Sequence, residues 1–290
     1  MDNITYTQYN LSSHAITFDN VRAGWEQYVL LHSDQHIDCT SFHKKAFHDN
    51  LKRAMKLNAP ILGGGDIGAA MQTNSDPRRS YNQMRPELLG DDYVNRMIDL
   101  WADEYQDYSD NMTVFFKGNH ETAMQRKINV DLMRMFKDEM VKRNPNTPLG
   151  LGGYEGHVIF NFNIRKTVRQ RVEMRFFHGA GGGGRSTRGV TNANFRASYS
   201  HSDIFWTGHI HHCQVTPIKR ERISKQAPYN TEYYIQSHIT TPSYQSPHEI
   251  GDTDGFQIEK ELAPRPVGCV WLRFHCDGEG VKMTTEIDVQ

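Results

Sequence analysis

Five short apolar runs in this sequence each lead into a histidine, aspartate or asparagine, and this recurrence constrains the fold more than any other feature. The runs begin at Tyr28, Ala59, Met112, Arg171 and Asp203. Their length and their content of β-branched and aromatic residues predict buried strands. In open α/β sheets, ligands bind beyond the carboxyl ends of the strands, so we expect the polar residues that follow these runs to meet.

The segment Gly118–Glu121 reads Gly-Asn-His-Glu and follows the predicted strand Met112–Phe116. A glycine lets the chain turn sharply and approach a ligand, and Asn119 and His120 then offer an amide oxygen and an imidazole. Taken alone, Gly-Asn is an ordinary turn dipeptide, and the segment would be interpreted as a surface loop. The other four strand ends change that interpretation because they supply partners of the same kind.

The donors at the predicted strand ends are oxygens and nitrogens, with no thiolate among them. They are Asp34, His36, Asp66, Asn119, His120, His178, His209 and His211. We expect Asp34 and His36 to project to the same side from extended backbone, since they are two residues apart. The donors exceed what one tetrahedral zinc uses but suit two metal ions about 3.5–4 Å apart, with Asp66 as the bridging carboxylate.

The donor types also predict the metal and the charge of the site. Imidazole-rich ligation disfavours magnesium and calcium, so we expect two divalent transition metal ions, with manganese preferred and iron, zinc, cobalt or nickel as alternatives. The charge of two dications exceeds that of two aspartates and a bridging hydroxide. The site is therefore predicted to be net positive and to attract phosphate.

The overall charge leaves phosphate recognition to local features. A formal net charge of −1 over 290 residues provides no field that favours nucleic acid or an anionic membrane. Arginines on turn-rich or glycine-rich stretches are predicted to line the substrate cleft, with a solvated surface position as the alternative. They are Arg78, Arg79, Arg185 and Arg188.

The cysteine spacing and the hydropathy of the chain predict the cellular compartment of the protein. The four cysteines are widely spaced, which favours reduced thiols. The polar N-terminus has no signal-peptide core, and no apolar run approaches the ~20 residues of a membrane span. We therefore expect a cytoplasmic chain with no membrane partner, folded as one domain over residues 1–290, and the oligomeric state stays open.

The order Asp-x-His, Gly-Asp, Gly-Asn-His-Glu, His-Gly and Gly-His-x-His, over roughly residues 29 to 212, resembles the calcineurin-like metallophosphoesterase superfamily. The resemblance implies an α/β fold, a four-layer αββα sandwich. It implies one metal held by Asp34, His36, Asp66 and His211, and a second held by Asp66, Asn119, His178 and His209. His120 would be left free to face the substrate.

The branches of the superfamily differ in their motifs. Ser/Thr protein phosphatases continue Gly-Asp into a second aspartate and an arginine, whereas this chain continues with Ile67–Ala70. The pattern is nearer to the phosphodiesterase and nuclease branches, including Mre11/SbcD-like enzymes. The Asp-Pro-Arg-Arg-Ser segment at Asp76–Ser80 and the glycine-rich stretch after His178 are also similar to uncharacterised members encoded by bacteriophages, which would place the chain in the cytoplasm of a host. The C-terminal third shows a strand pattern but none of the motifs.

The sequence thus predicts a dinuclear phosphoesterase that hydrolyses a phosphodiester in a nucleotide or nucleic acid. In the expected mechanism a hydroxide that bridges the metals attacks phosphorus, Asn119 helps to neutralise charge on the phosphoryl oxygens, and His120 protonates the leaving group. A phosphomonoesterase acting on a small metabolite or nucleotide is the nearest alternative. A non-catalytic scaffold of the same fold that binds proteins is the alternative from another class.

Overall fold

The computed structural model describes most of the chain as two β-sheets with helices. The described residues are 3–70, 83–164, 168–182, 190–199, 201–224, 227–246, 248, 256–259, 261 and 263–290. In chain order the strands are β1 (Ile4–Gln8), β2 (Ser13–Phe18), β3 (Glu26–His32), β4 (Ile61–Gly63), β5 (Met112–Phe115), β6 (Gly150–Leu151), β7 (Glu155–Asn163), β8 (Arg169–Phe177), β9 (Ile204–Thr207), β10 (Gln214–Ile223), β11 (Thr231–Thr240), β12 (Gly268–Cys276) and β13 (Val281–Val289). The helices are α1 (Lys44–Lys56), α2 (Tyr93–Tyr105), α3 (Asn119–Ile128), α4 (Leu132–Arg143), α5 (Val190–Tyr199) and α6 (Phe256–Glu259).

Both sheets mix parallel and antiparallel pairing. The six-stranded sheet has the order β13-β12-β3-β4-β5-β6, in which β3, β4, β5 and β6 are parallel to one another. The seven-stranded sheet has the order β1-β2-β7-β8-β9-β11-β10, in which β8 and β9 are parallel. The C-terminal strands β12 and β13 extend the sheet that β3 begins, so the last part of the chain belongs to the same sheet as the first ligand segment.

The two sheets pack face to face over an aromatic and aliphatic core. Strands alternate their side chains, and every second residue points into this layer. Leu31 and Phe116 come from the region of the six-stranded sheet, and Phe176 and Trp206 come from the seven-stranded sheet. The rings of Phe116 and Phe176 stack with centroids 4.2 Å apart. Such burial stabilises the sandwich by about 1.5–3 kcal/mol per large side chain.

Helices cover the outer faces of both sheets. On the six-stranded sheet, Phe47 of α1, Trp101 of α2 and Phe136 of α4 pack into one buried cluster with the other side of β3, β4 and β5. On the seven-stranded sheet, the ring of Tyr199 in α5 lies edge-on to that of Phe205, with centroids 6.4 Å apart. The predicted α/β class, an αββα sandwich, is confirmed. None of the helices among the described residues is long and apolar enough to cross a membrane.

The five predicted strands are present as β3, β4, β5, β8 and β9, with shifted ends. β8 pairs with β7 in antiparallel register. Strands β1 and β6 have only weak sequence signals. β1 alternates apolar and polar residues but is only half-buried at a sheet edge, and β6 has two residues, too few for any periodicity to show.

Candidate metal centre

The predicted ligand segments meet because five strands end at one edge of the sandwich. β3, β4 and β5 lead to them from one sheet, and β8 and β9 lead to them from the other. Backbone hydrogen bonds join neighbouring segments: Asp34 N donates to Gly65 O at 2.9 Å, and Gly208 N donates to His178 O at 2.8 Å. Between the sheets, His178 Nδ1 lies 2.7 Å from Gly64 O. These bonds join four of the five segments, and the fifth joins them where His120 N donates to Asp66 Oδ1.

The first donor cluster contains Asp34, His36 and His211. His211 Nε2 lies 3.3 Å from Asp34 Oδ1 and 3.3 Å from His36 Nε2. A single proton joins only two of these three atoms, whereas a cation accepts a lone pair from each. The cluster therefore has the donor chemistry of a metal site, and it contains three of the ligands that the resemblance implies for one metal.

The second cluster contains Asp66, Asn119, His178 and His209. The Asn119 amide oxygen lies 2.7 Å from His209 Nδ1 and 3.2 Å from His178 Nε2. If the amide is turned over, its nitrogen faces both rings and also Asp66 Oδ2 at 3.1 Å. An NH₂ group has only two protons for these three acceptors. These four side chains would hold a cation through nitrogen and oxygen donors, which fits a transition metal.

The carboxylate of Asp66 belongs to both sides of the centre. It forms one group with His178 and His209 and another with His36 and His120, and in each group the ligand atoms lie within 4.8 Å of one another. His120 N donates to Asp66 Oδ1 at 2.9 Å, while Oδ2 faces His178 Nε2 at 3.1 Å. In this position the Asp66 carboxylate could be shared between two metal ions.

The contact between His178 Nδ1 and the Gly64 carbonyl oxygen fixes the orientation of the imidazole ring. With Nδ1–H donating to the carbonyl oxygen, Nε2 points at Asp66 and Asn119. A backbone partner on the second nitrogen is the usual way in which proteins orient a metal-binding imidazole. The ring is fully buried, so its tautomer and direction are set by the fold.

The expectation of extended backbone at Asp34 and His36 is wrong. Both residues lie beyond the end of β3 in left-handed conformation, with φ of 55° and 49°. Asp66, His209 and His211 share this region, with φ of 54°, 69° and 54°. Such conformations cost of order 1 kcal/mol or more each for residues with a side chain and concentrate at functional sites. The side chains converge because of these turns and not because of strand alternation.

Asn119 and His120 lie in the first turn of a helix, since α3 begins at Asn119 directly after Gly118. The helix N-terminus carries partial positive charge and directs the backbone N–H of His120 at the Asp66 carboxylate. This contact stabilises Asp66 in its ionised form.

Glu121 connects two of the ligand segments, and sequence reasoning gave it no role. Its buried carboxylate accepts hydrogen bonds from the backbone N–H groups of Gly118 at 2.8 Å, Asp66 at 3.0 Å and Ile67 at 2.8 Å. Burial, with Asp66 nearby, raises the pKa of Glu121 to about 8. A glutamate at the third position of a helix is a known capping signal, and this signal could have identified it.

The protonation states around the centre suit metal ligands. Burial alone would raise the pKa of Asp66, but the imidazoles of His178 and His120 hold it well below its usual range. Burial and then the charge of His211 lower the pKa of His36 to about 3, so its ring is neutral at pH 7. Burial opposes protonation of His178, but Asp66 and Asp34 raise its pKa to about 10, so a cation displaces a proton there.

His120 lies at the edge of the centre. Its side chain is 11% exposed, and its Nε2 is 3.8 Å from Asp66 Oδ2. Its ring is perpendicular to that of His36, with centroids 5.2 Å apart, and its buried Nδ1 has no hydrogen-bond partner among the described residues. This position is compatible with a substrate-facing histidine and also with a metal ligand.

The four arginines predicted to line the cleft, Arg78, Arg79, Arg185 and Arg188, lie outside the described residues. The cysteines are free thiols, three of them buried and Cys213 half-buried.

Comparison with known proteins gives structural matches alone. No family model matches the sequence, and neither does any curated protein. Three solved structures of those that match are GAP50, the anchor in the inner membrane complex of Plasmodium (12% identity, 90% of this chain and 84% of that chain, TM-score 0.42), zinc-complexed Vps29 from Entamoeba histolytica (11%, 90% and 98%, 0.31) and the calcineurin-like phosphoesterase YfkN from Bacillus subtilis (12%, 91% and 91%, 0.30). At these TM-scores the likeness carries no weight for function, and the metal centre stands on its own geometry.

Gly208 provides a direct test of that geometry because it packs against the opposite ligand segment. A Cβ at this position would lie 2.4 Å from Asp34 Oδ2 and 2.4 Å from Ser33 Oγ. We expect Gly208→Ala to displace the Asp34 carboxylate and to weaken Mn²⁺ binding about 10- to 100-fold, as loss of ligand orientation does elsewhere. Calorimetric titration of the metal-free protein with Mn²⁺ measures this change.

Gly182→Ala is the matched control because a Cβ there meets nothing within 4 Å. Its Mn²⁺ affinity should stay within about twofold of the original protein. If Gly208→Ala and Gly182→Ala bind Mn²⁺ with equal affinity, Asp34 is not a metal ligand.

Proposed function

We propose that this protein is a phosphoesterase that works with two divalent transition metal ions. The observation that carries the proposal is the convergence of lone-pair donors from five strand ends of two sheets, with the Asp66 carboxylate grouped with His36 on one side and with His178 and His209 on the other. Two such ions supply Lewis acidity and an activated water for attack on phosphorus. Manganese is the proposed metal, since imidazole, amide and carboxylate ligands suit it and no described cysteine lies in the donor clusters.

The neutral ligands determine what the site binds. Only Asp34 and Asp66 bring negative charge to the clusters, and the remaining candidate ligands are imidazoles and one amide. A centre loaded with two dications therefore remains positive in a buried, low-dielectric environment, where its attraction for an anion is strong. Phosphate esters are anions whose reaction builds further negative charge on the phosphoryl oxygens.

His120 is proposed as the group that acts on the leaving oxygen. Its ring is held beside Asp66 through its own backbone N–H, and it remains partly exposed while His36 and His178 are buried. An imidazole in this position donates a hydrogen bond or a proton as the ester bond breaks. Asn119 is proposed to orient the phosphoryl group through the amide that also faces His209.

A phosphodiester of a nucleotide or nucleic acid is the proposed substrate class, supported by the resemblance of the motif order to the phosphodiesterase branches. A metal-by-substrate screen tests it. With Mn²⁺ supplied, turnover should be faster on bis(p-nitrophenyl) phosphate than on p-nitrophenyl phosphate. The rates on single-stranded DNA, double-stranded DNA and cyclic nucleotides then identify the natural class of substrate. A faster rate on the monoester would favour the phosphomonoesterase alternative, and no turnover with any metal would favour a non-catalytic scaffold.

The role of His120 gives a second prediction. His120→Asn should retain both metals and lower kcat about 10²–10⁴-fold on esters whose leaving group needs a proton. The loss should be smaller on p-nitrophenyl esters, because p-nitrophenolate leaves without one. Metal content by elemental analysis and kcat on both ester types are the measurements. If the variant loses a metal, His120 is a ligand, and equal losses on both ester types would rule out the proton transfer.

A further inference from the structure

A side chain of the C-terminal third, Arg265, lies beside the metal centre although no motif pointed to it. β12 runs antiparallel to β3, with Val270 opposite Leu31. Because β3 leads into the Asp34 loop, the residues that precede β12 run alongside that loop. Continuing the same register places Arg265 at the level of the first ligand segment, beyond the end of the sheet.

Contacts of the backbone support this placement. Val267 forms a parallel bridge with Ser243, and Gly268 N donates to Ser243 O at 3.3 Å. The next residue, Tyr244, donates its N–H to the backbone oxygen of Asp34 at 3.1 Å. Three chain segments therefore lie side by side in the order Asp34, Tyr244 and Val267, and Arg265 stands two residues before Val267.

Arg265 differs from Arg53 and Arg143, two other partly buried arginines, in having no hydrogen-bond or ion-pair partner among the described residues. Arg53 pairs with Glu286 and Asp288, and Arg143 pairs with Asp103 and Glu139. Arg265 is half-buried and makes no hydrogen bond or ion pair with any described residue. Burial lowers its pKa, and the charge of Asp34 acts in the opposite direction, which shows that the two groups lie within Coulombic range of each other.

The positive charge of the Arg265 guanidinium opposes the binding of metal ions nearby. An anion bound between the guanidinium and the metal ions would remove this repulsion. We propose that Arg265 binds a phosphoryl oxygen of the substrate at the rim of the metal centre. The planar guanidinium presents parallel N–H donors to phosphate and is less strongly hydrated than an ammonium group. The proposal rests on the proposed function, since it assigns to Arg265 part of the recognition of the same anionic substrate.

The simpler alternative is that Arg265 only balances the buried charge of Asp34. The two roles predict different effects of removing the guanidinium. Loss of a phosphate contact weakens phosphate binding and leaves metal binding equal or stronger. Loss of a counter-ion for Asp34 changes the stability of the metal-free protein and leaves phosphate binding by the loaded protein unchanged.

The experiment compares the full chain with Arg265→Gln and Arg265→Lys, each loaded with Mn²⁺. Calorimetric titration with inorganic phosphate should show about 10- to 100-fold weaker binding for Arg265→Gln, the range of a charged hydrogen bond. Arg265→Lys should recover part of the loss, because it retains the charge without the fork geometry. Arg273→Gln is the matched control. Arg273 lies on β12 and pairs with Glu26 at the surface, so its loss should leave phosphate affinity unchanged.

Elemental analysis and thermal unfolding of the same samples establish that each variant is folded and holds its metals. Equal phosphate affinity for Arg265→Gln and the original protein would overturn the proposal, as would a failure of the original loaded protein to bind phosphate. If phosphate binding depends on Arg265 but no ester is hydrolysed, the inference about Arg265 stands and the proposed function fails.

Discussion

The crowding of potential metal-ligand atoms at the edge of the sandwich is the constraint on which the rest of this structure depends. Two buried carboxylates, four imidazole nitrogens and an amide oxygen face one another at 2.7 to 3.3 Å. Hydrogen atoms satisfy only some of these contacts, and burial of unpaired charge is costly. Cations between the donors would offset this cost, so the donor set suits a metal centre.

The remainder of the fold keeps these donors in place. Asp34, Asp66 and His209 have left-handed backbone conformations, which are strained. These conformations persist because neighbouring backbone groups are held by hydrogen bonds from several sides. Glu121 holds two of the segments with three hydrogen bonds, and the N–H of His209 holds the Asp34 carboxylate from the other sheet. The dry aromatic layer between the sheets fixes the distance between the two halves of the centre. A ligand that binds to a rigid, preformed site causes a smaller loss of conformational entropy in the protein than a ligand that must order a flexible site.

Much of the fold could be predicted because the strands that matter are short, apolar and followed at once by polar residues. The candidate ligands could be predicted for the same reason, since parallel strand ends meet at one edge. The conformation of Asp34 and His36 could not, because φ of a residue with a side chain is set by tertiary contacts that leave no local pattern. Arg265 could not be predicted either: its position depends on the register of β12 against β3, a pairing more than 230 residues apart in the sequence. β1 has an alternating pattern, but at a half-buried edge the pattern is weak.

The most direct test of the two-metal centre is anomalous diffraction from a crystal soaked in Mn²⁺, with data collected on both sides of the manganese absorption edge. The geometry predicts two anomalous peaks about 3.5–4 Å apart. The Asp66 carboxylate should lie between them, with Asp34, His36 and His211 around one peak and Asn119, His178 and His209 around the other. A single peak, or peaks away from Asp66, would contradict the account.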